Sequence, residues 1–142
     1  MPTSTTCIEL PAPAPGTHRH LRVHRYGLPG ARPKAYFQAA LHADEIPGLL
    51  VAQHLLLALE QAQAAGRMVG EVVVVPVANP PGLSQHLNGR LLGRFDFEST
   101  GNFNRDFPDL AVAAQERLRG RLSADPAINE ALIRETLREV LA

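Results

Sequence analysis

Residues 36–77 constrain the fold most. A nearly continuous apolar run, Tyr36 to Leu41, is followed by an apolar helix pattern from Pro47 to Ala65. Glu71 to Val77 then carries four consecutive valines. Unbroken runs of this kind suit strands buried on both faces, and consecutive valines favour a pleated surface over a helix. Pro47 fits a first helical turn and Gly66 fits a helix stop. Strand, helix and strand at these lengths make a βαβ unit, which predicts a right-handed crossover between two parallel strands. Gln53, His54, Glu60 and Gln61 share one helix face, so the rest of the helix is expected to be buried.

The flanks are read in the same way. Residues 1–16, with prolines at 11, 13 and 15, are expected to form an extended lead-in without secondary structure. His20 to Tyr26 reads as a strand with Leu21 and Val23 on one face, and Gly27 to Pro33 as a turn. His18, His20 and His24 fall on one strand face. That resembles a metal site, but a polar sheet face is the better reading. No helix or strand pattern is visible from Ala78 to Asp109, and a stretch that long is expected to form functional loops. Two helices follow, near Leu110–Leu122 and Pro126–Leu141. Asp125 caps the second, and Ile128, Leu132, Ile133, Leu137, Val140 and Leu141 form its apolar stripe. The expected class is α/β: a partial mixed or parallel sheet with flanking helices, in residues 17–142.

Composition narrows the function. The 142 residues are 45% hydrophobic, as in a globular domain. Fourteen bases balance fourteen acids, so no nucleic-acid or membrane-surface partner is implied. No segment reads as a secretory peptide or a membrane span. One cysteine, Cys7, fits a reducing compartment, and a cytoplasmic location is expected.

The chemistry-bearing residues follow predicted strands. His42 and Glu45, in His42-Ala43-Asp44-Glu45, stand directly after the Tyr36–Leu41 run, and Asn79 stands directly after the valine strand. Binding loops of open α/β sheets gather at the carboxyl ends of strands. An imidazole and a carboxylate three residues apart suit zinc, which takes three protein donors and an open position in catalytic sites. No histidine follows His86.

Four segments together resemble the succinylglutamate desuccinylase/aspartoacylase family, within the zinc-carboxypeptidase-like superfamily. They are Ala40–Glu45, Val75–Pro80, Gly93–Asp96 and Asn102–Pro108, in order and with compatible spacing. The resemblance implies a zinc-dependent amidohydrolase acting on an N-acyl amino acid or a related small carboxylate. It assigns His42 and Glu45 to zinc and Asn104-Arg105 to the substrate carboxylate. The family pair usually follows Asp-Leu, and here it follows Asn102-Phe103. Arg94 is the match for the arginine that polarises the scissile carbonyl, at a longer spacing than usual. The third zinc ligand and the general base would lie after Ala142. By this reading the chain is the N-terminal part of a longer enzyme, inactive alone, weak in zinc binding and prone to self-association through surfaces that truncation exposes. The alternative is a non-catalytic α/β module that binds a carboxylate.

Overall fold

The computed structural model describes residues 1–141, which fall into two compact units, residues 1–105 and 106–141 of the described chain. In the first, β1 (Ser4–Leu10), β2 (Arg19–Gly27), β3 (Lys34–Gln38) and β4 (Glu71–Val75) form one sheet in the order β1-β2-β4-β3. Helix α1 (Pro47–Ala64) connects β3 to β4. These two strands pair in parallel, from Lys34↔Glu71 to Gln38↔Val75, as the βαβ pattern predicts. On its other side β4 pairs antiparallel with β2, from His24↔Val74 to Gly27↔Glu71. The sheet is mixed.

The valines make β4 the core strand: Val73, Val74 and Val75 are 4%, 0% and 3% exposed. Tyr26 on β2, 1% exposed, and Ala52 on α1 join them. Burial of this kind stabilises by about 25 cal/mol per Å² of apolar surface.

The structure departs from the sequence expectations in five places. The lead-in contains β1, which pairs with β2 along its whole length, from Ser4↔Arg25 to Leu10↔Arg19. Cys7 therefore lies in a strand and is exposed. Backbone pairing, not apolar burial, holds this strand, since six of its seven residues are exposed. Next, β3 is an edge strand rather than a buried one, and Tyr36 and Phe37 are 58% and 46% exposed. Helix α1 buries only Ala52, while Leu50 and Val51 are 62% and 67% exposed. One side of α1 meets the sheet, and nothing in the described unit covers the remainder. Residues 78–109 also hold more structure than expected: a short helix α2 (Pro80–Leu83) and a hairpin of β5 (His86–Leu87) and β6 (Arg90–Leu91). Asn88 and Gly89 turn the hairpin at φ 50° and 75°, the left-handed pair that a two-residue turn demands. Lastly, α3 (Ala111–Leu118) is shorter than predicted, whereas α4 (Pro126–Leu141) matches.

The second unit is the α3–α4 helix pair. Asp125 Oδ1 accepts the Ala127 N–H at 2.9 Å, the expected cap, and Arg117 pairs with Glu139 at 3.5 Å. Leu132, Leu137 and Val140 of the predicted stripe are half-buried, while Ile128 and Leu141 are 58% and 63% exposed. No helix among the described residues is long and apolar enough to cross a membrane.

Candidate metal centre

The chain leaves β3 and β4 on the same edge of the sheet, because the two strands are parallel. Their pairing runs on past the strands: Ala39 N–H donates to Val75 O at 3.1 Å, and Ala78 N–H to Ala39 O at 2.8 Å. Ala40 then adopts φ 56° while 5% exposed, a left-handed corner unusual for a residue with a Cβ. This corner swings the following residues across the sheet edge.

Two supports fix the next turn. Buried Asn79 donates through Nδ2 to Leu41 O at 2.9 Å, while its Oδ1 accepts the Gly82 N–H at 2.8 Å. One side chain thus ties the loop after β3 to the start of α2. On the other side, Gly93 O accepts the Ala43 N–H at 2.8 Å. A Cβ on Gly93 would lie 2.6 Å from Ala43 Cβ and 2.9 Å from Asp44 N, so only glycine allows this approach. His42 sits between the two supports, 4% exposed.

The proton on His42 can be placed. Asn102 Oδ1 is 2.7 Å from His42 Nε2 and also accepts the Asn104 backbone N–H at 2.9 Å. Only the amide oxygen can accept from that N–H, so His42 Nε2 is the donor and Nδ1 carries the lone pair. That lone pair faces Glu45 Oε1 at 3.1 Å. Arg94 donates to both acceptors, from Nη1 to His42 Nδ1 at 2.9 Å and from Nη2 to Glu45 Oε1 at 2.7 Å. Its Nε lies 3.5 Å from Asp44 Oδ2. The hydrogen bond from Arg94, the leading cause, holds the Glu45 carboxyl below its ordinary range. Glu45 in turn raises Arg94. Asp44 Oδ1 is buried and has no hydrogen-bond partner among the described residues.

Two lone pairs turned on one cation are what a metal seat requires. Two donors on a tetrahedral zinc ion, with bonds of about 2.0–2.1 Å, stand roughly 3.3 Å apart. His42 Nδ1 and Glu45 Oε1, at 3.1 Å, fit that separation, and the Arg94 guanidinium stands in for the positive charge. No group of three or more His, Cys, Asp or Glu that could hold a metal is found among the described residues.

Asn104 lines a cavity of about 430 Å³ together with His42, Glu45, Ala40, Val51 and Leu55. Arg105 does not line it; its Nη1 donates to the Asn104 carbonyl at 2.6 Å. The structure thus brings His42, Glu45 and Arg94 together and sets Asn104 beside them, with Arg105 exposed at the rim of its own loop. Asn102, Asp44 and Gly93 join the cluster, although sequence reasoning gave them no role. Asn102 was visible as the departure from the family's usual Asp before the Asn-Arg pair. His18 and His20 stack on each other with ring centroids 6.1 Å apart, and His24 Nδ1 lies 3.2 Å from Thr5 Oγ1. His20 and His24 share one face of β2, and His18 lies just before the strand, within reach of Glu9 at 3.4 Å.

The molecule is thus an α/β domain with an imidazole–carboxylate–guanidinium cluster at the carboxyl edge of its sheet. Residues 31–140 match the succinylglutamate desuccinylase/aspartoacylase catalytic domain, and the chain belongs to that family. Two solved structures of proteins assigned to succinylglutamate desuccinylase/aspartoacylase share the fold. The one from Shewanella amazonensis SB2B superposes with a TM-score of 0.66 at 26% identity, over 90% of this chain and 34% of that one. The one from Shewanella frigidimarina NCIMB 400 gives a TM-score of 0.64 at 24% identity, over 87% of this chain and 33% of that one. The chain spans about a third of the length of these solved relatives. A 68-residue stretch is also 41% identical to part of acetolactate synthase from Bacillus subtilis (strain 168), over 48% of this chain and 12% of that enzyme. So small a share of that enzyme carries none of its chemistry here.

Proposed function

We propose that this chain contributes the metal and carboxylate-binding residues of a zinc-dependent hydrolase that cleaves the amide of an N-acyl amino acid or a related small carboxylate. The observation that carries this reading is the convergence of His42 Nδ1 and Glu45 Oε1, 3.1 Å apart, with a cation between them. Zinc, when bound, acts as a Lewis acid and lowers the pKa of a bound water.

The chain's own residues do the rest. Asn102 keeps the proton on His42 Nε2, so Nδ1 is free to donate its electron pair. That atom has one in-plane lone pair, so Arg94 Nη1 and a metal compete for it. Asp44 Oδ2, 3.5 Å from Arg94 Nε, would keep the guanidinium at the site were His42 Nδ1 given to a metal. There Arg94 can stabilise negative charge growing on the acyl oxygen, a kind of interaction worth about 2.7–4 kcal/mol. Asn104 reaches the cavity, and exposed Arg105 offers a planar fork for a substrate carboxylate. The single exposed thiol fits a reducing compartment, and a cytoplasmic location is part of the same reading.

Calorimetric titration with zinc tests the proposal. Two protein donors predict weak, one-to-one binding that His42→Ala abolishes. Binding that persists unchanged in His42→Ala would refute it and move the metal elsewhere, with His18, His20 and His24 the next place to look.

A further inference from the structure

A second cavity lies on the α1-facing side of β2. Strand alternation sets His20, Arg22 and His24 on one face, and these three line the cavity with Gln53 of α1. Its other walls are apolar: Leu49 and Leu56 from α1, and Pro76, Val77 and Pro80 after β4. The volume, about 580 Å³, is within the range of small-molecule sites. None of these residues belongs to the His42 cluster.

The polar wall is Arg22, which can only donate, with His20, His24 and Gln53, which can donate or accept. Arg22 forms no side-chain hydrogen bond or ion pair among the described residues, although its charge acts on His24. Burial, and then Arg22, hold His24 below the ordinary imidazole range, so the ring is neutral at pH 7. Its Nδ1 engages Thr5 Oγ1, which leaves Nε2 for the cavity. Glu60 acts on His24 in the opposite sense, so one carboxylate already offsets part of the positive field. Arg22 thus supplies the permanent positive charge of the pocket, with His20, His24 and Gln53 beside it.

A single guanidinium without an internal partner among the described residues suits a monoanion and can offer two parallel N–H groups to a planar carboxylate. Two prolines in the wall provide no backbone N–H for further oxygens. The apolar remainder suits a hydrocarbon body. We propose that this pocket binds a small organic acid, with its carboxylate on Arg22 between His20, His24 and Gln53 and its apolar body against Leu49, Leu56 and the Pro76–Pro80 segment.

The site is independent of the metal reading, and the test keeps the two apart. Hexanoate, hexanamide and inorganic phosphate are titrated into the whole chain while NMR follows the His20 and His24 ring protons. Hexanoate is expected to give saturable shifts; the uncharged hexanamide is not, and phosphate should bind more weakly than hexanoate. Arg22→Gln should weaken hexanoate by roughly tenfold or more, the usual consequence of losing one charge-assisted hydrogen-bonded pair. His42→Ala should leave it unchanged. Gln53→Leu, which keeps the helix and removes one donor, gives a second and smaller loss should Arg22→Gln fail to fold. Absence of hexanoate shifts, equal binding of hexanamide, tighter binding of phosphate, or full affinity in both variants would overturn the proposal.

Discussion

Two charged clusters sit at opposite ends of the β3–β4 pair, and they are built to opposite rules. At the amino end Glu71, 2% exposed, meets Arg25 Nη1 and Lys34 Nζ, each at 2.9 Å, and the Gly30 N–H at 3.2 Å. Both carboxylate oxygens are spoken for. At the carboxyl end Glu45 is open to solvent, Arg94 divides itself among His42, Glu45 and Asp44, and one Asp44 oxygen has no partner among the described residues. A buried charge whose donors are all supplied holds the fold together. A half-satisfied cluster facing a cavity is available for other chemistry, and perturbed groups gather at such places.

The sharpest way to break the comparison is Glu71→Ala. It should strand Arg25 and Lys34 beside the core, and the largest effect expected here is a fall in Tm of more than about 5 °C. Acid should reach the same contact. Lys34, then the Gly30 N–H and Arg25, outweigh burial and hold the Glu71 carboxyl below its usual value. A depressed folded pKa stabilises fully above the unfolded value, about 4.3 for glutamate, and is lost as pH falls through the folded one. Thermal melts of the wild type should therefore lose stability below about pH 4, and Glu71→Gln should flatten that limb.

Gly93→Ala comes next. The new Cβ must displace Ala43 or the Asp44 backbone, a strain of about 1–3 kcal/mol. The same displacement moves Arg94 off the His42–Glu45 pair. A lower Tm together with altered His42 ring shifts would show both; an unchanged melt would mean the loop is looser than its contacts imply.

The smallest stability effect belongs to Glu45→Gln. Its side chain is 58% exposed, so Tm should hardly change, while the pairing with Arg94 weakens and zinc binding is lost. A large fall in Tm would make the site structural, like the Glu71 cluster, and would erase the distinction between the two ends.

Some of this was legible in the sequence because the signals were local. The four valines and the helix between two apolar runs specify the parallel pair, and His42 and Glu45 need only three residues of chain to meet. β1 was illegible for the opposite reason. Its residues bury almost nothing, so no apolar alternation marks it, and the prolines after Leu10 point towards irregular chain. Asn88-Gly89 did carry a hairpin signal, hidden because the strands beside it are only two residues long. Exposure of Leu50, Val51 and Tyr36 could not be read from their apolar character, which reports what a surface can bury and not what is there to cover it. The part played by Asn102 depends on the isolated bridge between Phe95 and Asn102 and on the Arg94 carbonyl accepting the Phe103 N–H. Both are contacts of loop against loop that no periodicity encodes.

The separations that build the candidate site also set when it can form. His42 meets Asn102 across 60 residues, Arg94 across 52, and Glu45 meets Arg94 across 49. The β1–β2 hairpin closes from Leu10↔Arg19, a span of nine residues. Loop-closure entropy grows with the length enclosed, and long-range contacts reward the chain only after that entropy has been lost. The β1–β2 hairpin can therefore form first, whereas the β2–β4 pairing, from His24↔Val74 to Gly27↔Glu71, encloses lengths comparable to those of the site. An opening of the loop bearing Arg94 and Asn102 alone would separate His42 from its tautomer-fixing partner and Glu45 from its cation, leaving the sheet intact. Such an opening would be read as loss of the site without loss of the sheet, and amide hydrogen exchange in the 93–105 loop against β4 measures it.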